Sequence, residues 1–168
     1  GKGRFLNCVI GWQCEVVNSK KLAAYGLDEL YSNVRPGAGA ALEAAVEAVM
    51  PDVILWRRDF HQNPELGFAE HRTAEVIAEH LRGLGLEVRV GVGKTGVVAI
   101  LRGGRPGRTV ALRADMDALP VEEATGLPFA STATGTYQGR TVPVAHACGH
   151  DAHIAMLMGA AEVLAGMR

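Results

Sequence analysis

The chain has 168 residues, of which 48% are hydrophobic, 21% are charged and 21 are glycines. This length and composition are typical of a globular, loop-rich domain with a buried core. The formal net charge is −1. There is no long block of one charge sign and no apolar run near the roughly 20 residues that span a bilayer, so we expect neither a nucleic-acid nor a membrane partner.

The chain has three cysteines, Cys8, Cys14 and Cys148, with no CxxC spacing. An odd number without paired spacing points to a reducing compartment rather than a disulfide framework. The apolar stretch at residues 5–12 is interrupted by Asn7 and Gly11, and no small-residue cleavage site follows it, which argues against a secretory signal. We therefore expect a cytoplasmic protein.

Residues 1–35 lack sustained periodicity, although residues 22–31 are compatible with a short amphipathic helix. A linker-like run with proline and glycine follows at residues 35–39. We interpret residues 1–35 as a leader or appendage of unknown role. Residues 36–168 then form the domain proper.

The next segments favour helices. Residues 40–50 are rich in alanine, and Pro51 suits the first turn of a second helix that runs to Gln62. A turn at residues 63–67 ends it. Residues 70–84 carry an apolar stripe at helical spacing opposite charged residues, and Gly83 and Gly85 favour its end there.

Strand patterns come next. Residues 87–90 alternate like a half-exposed strand, whereas residues 97–101 and 110–112 are apolar runs typical of central strands covered on both faces. A short strand near residues 142–145 precedes a last helix over residues 150–165 with a broad apolar face. This order predicts an α/β fold, a layered sheet with helices on both faces.

The most informative segment is residues 146–153, which holds three histidines, one cysteine and one aspartate. Such a mixture suits a divalent metal such as Zn²⁺, Mn²⁺, Co²⁺ or Ni²⁺. Cys148 and His150 alternate in an extended segment, so both side chains can lie on one side, and His153 shares a helical face with His150. The alternative is a buried structural cysteine beside hydrogen-bonded histidines.

Asp115 and Asp117 directly follow the apolar strand at residues 110–112. This end of a strand is where open α/β sheets place ligand sites. A carboxylate there can bind a metal, or it can accept the N–H of a metal-bound imidazole and fix its tautomer. The alternative is a solvated turn or a helix cap.

A third motif runs over residues 57–67. Its alternating charges on a helix and the proline turn after them are typical of a solvated face and a cap. We expect His61, His71 and His80 to be surface or hydrogen-bonded residues rather than metal ligands.

Together, these three motifs resemble peptidase family M20, and within it the amidohydrolase branch of hippurate, N-acyl-amino-acid and auxin-conjugate hydrolases. The resemblance covers about residue 50 to the end. The segments that carry it are Arg57–His61 with Asn63–Gly67, then Arg113–Pro120, then His146–His153.

The resemblance implies that Cys148 and His150 are metal ligands and that Asp117 supports the metal centre without binding it. Asp115 occupies a position where related branches have a histidine ligand, so its role stays open. The remaining ligands, the general-base glutamate and a dimerisation domain are expected beyond Arg168. Residues 36–168 would then be the N-terminal portion of a zinc-peptidase-like catalytic domain, and inactive alone.

The implied complete enzyme is a metal-dependent amidohydrolase with one or two divalent ions, an N-acyl amino acid as its small-molecule substrate and, in the intact protein, a homo-oligomeric state. The competing hypothesis is a noncatalytic metal-binding or interaction module that reuses half of the fold.

Overall fold

The computed structural model describes residues 7–12, 38–104 and 106–168. In these ranges the elements in chain order are β1 (Asn7–Trp12), α1 (Ala38–Gln62), α2 (His71–Gly83), β2 (Glu87–Val92), β3 (Gly96–Arg102), β4 (Val110–Ala114), β5 (Thr134–Tyr137), β6 (Arg140–Pro143) and α3 (His150–Gly166). No helix in these ranges has the length and apolar character that a membrane crossing requires.

The main sheet has four strands in the order β2-β3-β1-β4. β1 runs antiparallel to β3 and parallel to β4, and thus separates two strands that are consecutive in the chain. The sequence analysis predicted no strand in residues 1–35, because pairing with partners about 90 positions away leaves no local pattern. The division of the chain at residue 36 stays a prediction, and the predicted helix at residues 22–31 lies outside the described residues.

α1 is one continuous helix with Pro51 inside it, so the prediction of two helices that meet at Pro51 is wrong. An internal proline removes one backbone hydrogen bond and costs about 3 kcal/mol. Val49 and Val53, on either side of Pro51, both bury against α3 in a cluster with Ala155 and Val163. Burial of each valine contributes about 1.5–3 kcal/mol, which offsets the loss.

The main core lies where α1, α2 and α3 meet the sheet. Its largest fully buried apolar side chains are Phe60, Ile77, Leu81, Met116, Ile154, Met158 and Val97. β3 is mostly buried, as predicted, but β4 is not, since Val110 is 37% exposed. The prediction of a covered central strand at residues 110–112 is wrong, because β4 is an edge strand of this sheet. The predicted α/β class is confirmed.

Candidate metal centre

The segment that leads into α3 places Cys148 and His150 on either side of a left-handed turn. Ala145 exchanges two backbone hydrogen bonds of 3.0 Å with Leu119, which fixes the segment beside the chain that follows β4. Gly149 then adopts φ 86°, and its carbonyl accepts hydrogen bonds from Ala152 N and His153 N at the start of α3. The predicted change from strand to helix is present, but the prediction that Cys148 and His150 alternate in an extended segment is wrong, because residues 147 and 148 form a turn and His150 already begins α3.

The imidazole of His150 is oriented by Asp117. His150 Nδ1 lies 3.0 Å from Asp117 Oδ1 and 2.9 Å from the Asp117 carbonyl oxygen. Both oxygens are acceptors, so Nδ1 carries the proton and donates to them. In the neutral ring, Nε2 then keeps the lone pair that a metal ion would need.

Asp117 is itself held by the turn at residues 63–67. The amide of Ala118 donates to the Glu65 carbonyl oxygen at 2.8 Å, and Leu66 pairs with Ala118 in a parallel bridge. The side chain of Glu65 accepts hydrogen bonds from Arg72 N and Thr73 N at the start of α2. The cap predicted for this motif thus exists, and the same turn positions a residue of the second motif.

The other candidate residues have different surroundings. Cys148 is an exposed free thiol. Asp115 forms an ion pair with Arg113, whereas Asp117 contacts His150. The rings of His150 and His153 lie 5.6 Å apart, as their shared helical face predicts. Within residues 38–104 and 106–168, no three Cys, His, Asp or Glu side chains are grouped closely enough to hold a metal ion.

His146 is buried beside this segment and is 5% exposed. Among the described residues, neither ring nitrogen has a hydrogen-bond partner. Burial lowers the pKa of His146 to about 4, the charge of Asp151 opposes this, and the nearby His61 adds to it. His146 is therefore a neutral imidazole at neutral pH.

A buried polar network, which the sequence analysis missed, adjoins the motif. His61 Nδ1 lies 2.7 Å from Asp151 Oδ2, and His61 Nε2 lies 2.9 Å from Glu123 Oε1. Arg57 Nε donates to the same Asp151 oxygen at 2.8 Å. The predicted solvated face is wrong at His61, which is 7% exposed, but the expectation that His61 is a surface or hydrogen-bonded residue is met by its hydrogen bonds. The spacing of Arg57 and His61, four residues apart on one helical face, is the only local indication of this network.

The pKa of the Glu123 carboxyl group lies well below its ordinary value. Burial alone raises its pKa, but hydrogen bonds from the Thr125 hydroxyl, the Ser131 amide and His61 outweigh burial and lower the pKa of Glu123 to about 2. Its side chain is only 4% exposed. Glu123 is therefore a buried anion that accepts hydrogen bonds on both oxygens.

Comparisons with known proteins match this part of the chain. Residues 111–168 match the model of peptidase family M20/M25/M40. The chain is 50% identical over 124 residues to thermostable carboxypeptidase 2 of Saccharolobus solfataricus, which is 73% of this chain and 30% of that protein. It is 45% identical over 127 residues to an N-acyl-L-amino acid amidohydrolase of Geobacillus stearothermophilus, covering 76% and 32%.

A solved structure shares the fold. The crystal structure of a dinuclear metal-binding M20 peptidase from Bacillus subtilis superposes with a TM-score of 0.64 at 41% identity, over 73% of this chain and 32% of that one. The chain thus spans about a third of the length of the relatives it matches. These matches, together with the three motifs that the fold brings side by side, show that the chain belongs to peptidase family M20.

Proposed function

We propose that this chain supplies part of the metal site of an amidohydrolase that cleaves the amide bond of N-acyl amino acids. Cys148 and His150 are the proposed metal ligands, and Asp117 orients His150. The substrate class follows the amidohydrolase relative, which is 45% identical. A cytoplasmic location and a homo-oligomeric complete enzyme belong to the same proposal.

The main observation that supports the proposal is the contact between His150 and Asp117. A histidine that binds a metal through one nitrogen commonly donates its other N–H to a carboxylate or carbonyl oxygen, which fixes the tautomer and the ring orientation. His150 Nδ1 donates to both kinds of oxygen on Asp117. Asp117 and His150 are 33 positions apart, so this is a tertiary contact rather than a consequence of local chain geometry.

The chemistry of the donors favours a borderline divalent ion, since a thiolate and an imidazole suit Zn²⁺, Co²⁺ or Ni²⁺ and a carboxylate nearby also admits Mn²⁺. When bound, such an ion polarises the scissile carbonyl and lowers the pKa of a water molecule. The Bacillus subtilis neighbour is described as dinuclear, which supports one or two ions in the complete site.

The described residues leave the general base unassigned. Three glutamates in this part of the chain are already engaged, since Glu65 caps α2, Glu70 accepts the Thr95 hydroxyl at 2.6 Å and Glu123 binds His61. A general base must be within hydrogen-bond reach of the proton that it abstracts. We therefore expect residues 1–168 alone to release no amino acid from N-acyl substrates.

A chimera tests the function. The 127 matched residues of the Geobacillus stearothermophilus amidohydrolase would be replaced by their counterparts from this chain, and N-acyl amino acid hydrolysis measured. We expect activity that is lost in the Cys148→Ala and His150→Ala chimeras. It should persist in the chimera with His71→Gln, because His71 is exposed and lies outside the site. A folded, metal-loaded chimera without activity would contradict the proposal.

The alternative is a noncatalytic metal-binding or interaction module, and one observation favours its interaction form: the part of the chain that the structure describes does not bring three metal donors together. The same chimera separates the two hypotheses. Neither form of the module would support turnover in the amidohydrolase framework, and an interaction module would not bind metal through Cys148 and His150 either.

A further inference from the structure

We propose that His61 is a positioning residue that holds Cys148 and His150 in place for metal binding by bridging Asp151 and Glu123. This inference rests on the function proposed above. The three residues His61, Asp151 and Glu123 are called the His61 bridge below.

Both nitrogens of His61 face carboxylate oxygens. Nδ1 lies 2.7 Å from Asp151 Oδ2 and Nε2 lies 2.9 Å from Glu123 Oε1. A carboxylate oxygen only accepts, so a His61 nitrogen that carries a proton donates it to Asp151 or to Glu123. The three side chains of the bridge are between 1% and 8% exposed. Charge-assisted bonds of this kind are shorter and stronger than neutral ones.

Asp151 connects His61 to the segment that holds the proposed ligands. It follows His150 directly and lies in the first turn of α3. His61 and Arg57 are both on α1 and both donate to Asp151 Oδ2, so this oxygen fixes the first turn of α3 to α1. The proposed ligand segment is therefore held at two points: at His150 by Asp117 and, one residue later, at Asp151 by His61.

Glu123 holds the bridge from the other side. Its second oxygen accepts the Ser131 amide at 2.6 Å, which closes the loop between the two residues. In that loop, the ring of Phe129 lies edge-on to His61 at 5.6 Å. His61 is thus fixed before any ligand binds, as a residue that supports a metal ligand must be.

Two variants of His61 separate its two contacts. The amide nitrogen of asparagine reaches about as far as Nδ1, and that of glutamine about as far as Nε2. His61→Asn therefore keeps a donor toward Asp151, and His61→Gln keeps one toward Glu123. Co²⁺ would be titrated into the chimera defined above, in which the rest of the amidohydrolase is present, with affinity read from the thiolate-to-cobalt absorption band and folding checked by circular dichroism and thermal melting.

We expect His61→Gln to weaken Co²⁺ binding by roughly 10- to 100-fold, the usual effect of losing a residue that supports a metal ligand. The Co²⁺ affinity of His61→Asn should be closer to that of the wild type. The matched control is His80→Gln. His80 is also largely buried, with a side chain 16% exposed, but it contacts Trp56 and Glu162 instead of the motif. The His80→Gln substitution should lower thermal stability without changing the cobalt band. If His61→Gln does not fold, Asp151→Asn tests the same contact, with the same loss expected.

Wild-type affinity in His61→Gln, or equal losses in His61→Asn and His61→Gln that follow thermal stability, would overturn the role of His61 while leaving the metal site intact. An otherwise unsubstituted chimera with no cobalt band, or with a band that survives Cys148→Ala, would instead overturn the proposed function and this inference with it.

Discussion

Asp117 and His150 are joined by a hydrogen bond of 3.0 Å between Oδ1 and Nδ1, although they are 33 positions apart. Asp117 follows β4 and is held by the turn at residues 63–67, and His150 begins α3. The three sequence motifs thus meet through backbone and side-chain contacts around a single imidazole.

Removal of the Asp117 carboxylate should weaken metal binding. We expect Asp117→Ala to lower divalent-metal affinity by roughly 10- to 100-fold, because His150 loses the carboxylate that orients its ring and keeps only the backbone carbonyl of residue 117 as an acceptor. The matched control is Asp115→Ala, since Asp115 pairs with Arg113 instead. Isothermal titration with Zn²⁺ measures both affinities. Equal losses in the two variants would contradict a specific role for Asp117.

A side chain at position 149 should destabilise the domain. Gly149 has φ 86°, and this left-handed backbone costs other residues about 1–2 kcal/mol. We expect Gly149→Ala to lower the free energy of unfolding by that amount, measured by urea denaturation. Gly83 is helical, with open space where a Cβ would be, so Gly83→Ala should be neutral or stabilising. If both substitutions have the same effect, the turn is not strained.

A methyl group at position 159 should separate α1 from α3. A Cβ on Gly159 would lie 2.6 Å from Val53 Cγ2, so Gly159→Ala should lower the free energy of unfolding by about 1–3 kcal/mol through overpacking. In a Val53→Ala background this atom is absent, and the cost of Gly159→Ala should fall. Thermal melts of the double-mutant cycle measure this coupling. Additive effects would argue against the close approach.

Glu123 should make stability depend on pH in the acid range. The pKa of Glu123 falls from 4.5 to about 2 in the folded chain, so its ionised form stabilises the fold above pH 4.5. That contribution is lost as the pH falls toward 2. We expect the difference in unfolding free energy between wild type and Glu123→Gln to be constant above about pH 5 and to shrink below it. A difference that does not change with pH in urea titrations would contradict this.

The sequence predicted the features that depend on local pattern. The periodicity of residues 70–84 and 150–165 located α2 and α3 within one residue at each end. The resemblance to the family, rather than a local pattern, implied that Asp117 supports the metal centre that includes His150. For the two helices, the pattern depends only on spacing along one element.

The features that it could not predict depend on distant partners. β1 is a strand because it pairs with β3 and β4. The continuity of α1 through Pro51 depends on how Val49 and Val53 pack against α3. The charges around His61 look like those of a solvated helix, because Asp151 and Glu123 are 90 and 62 positions away. Only tertiary packing shows that this histidine is buried between carboxylates.

The most direct test of the account is the metal content of the purified chimera with the Geobacillus stearothermophilus amidohydrolase beside its Cys148→Ala and His150→Ala variants. Each protein would be dialysed against Zn²⁺, freed of unbound metal and analysed by mass spectrometry, with circular dichroism to confirm folding. Cys148 is exposed, so its substitution should leave the fold intact. The account predicts that the unsubstituted chimera retains metal and that both variants lose it. Equal metal in all three proteins would contradict it.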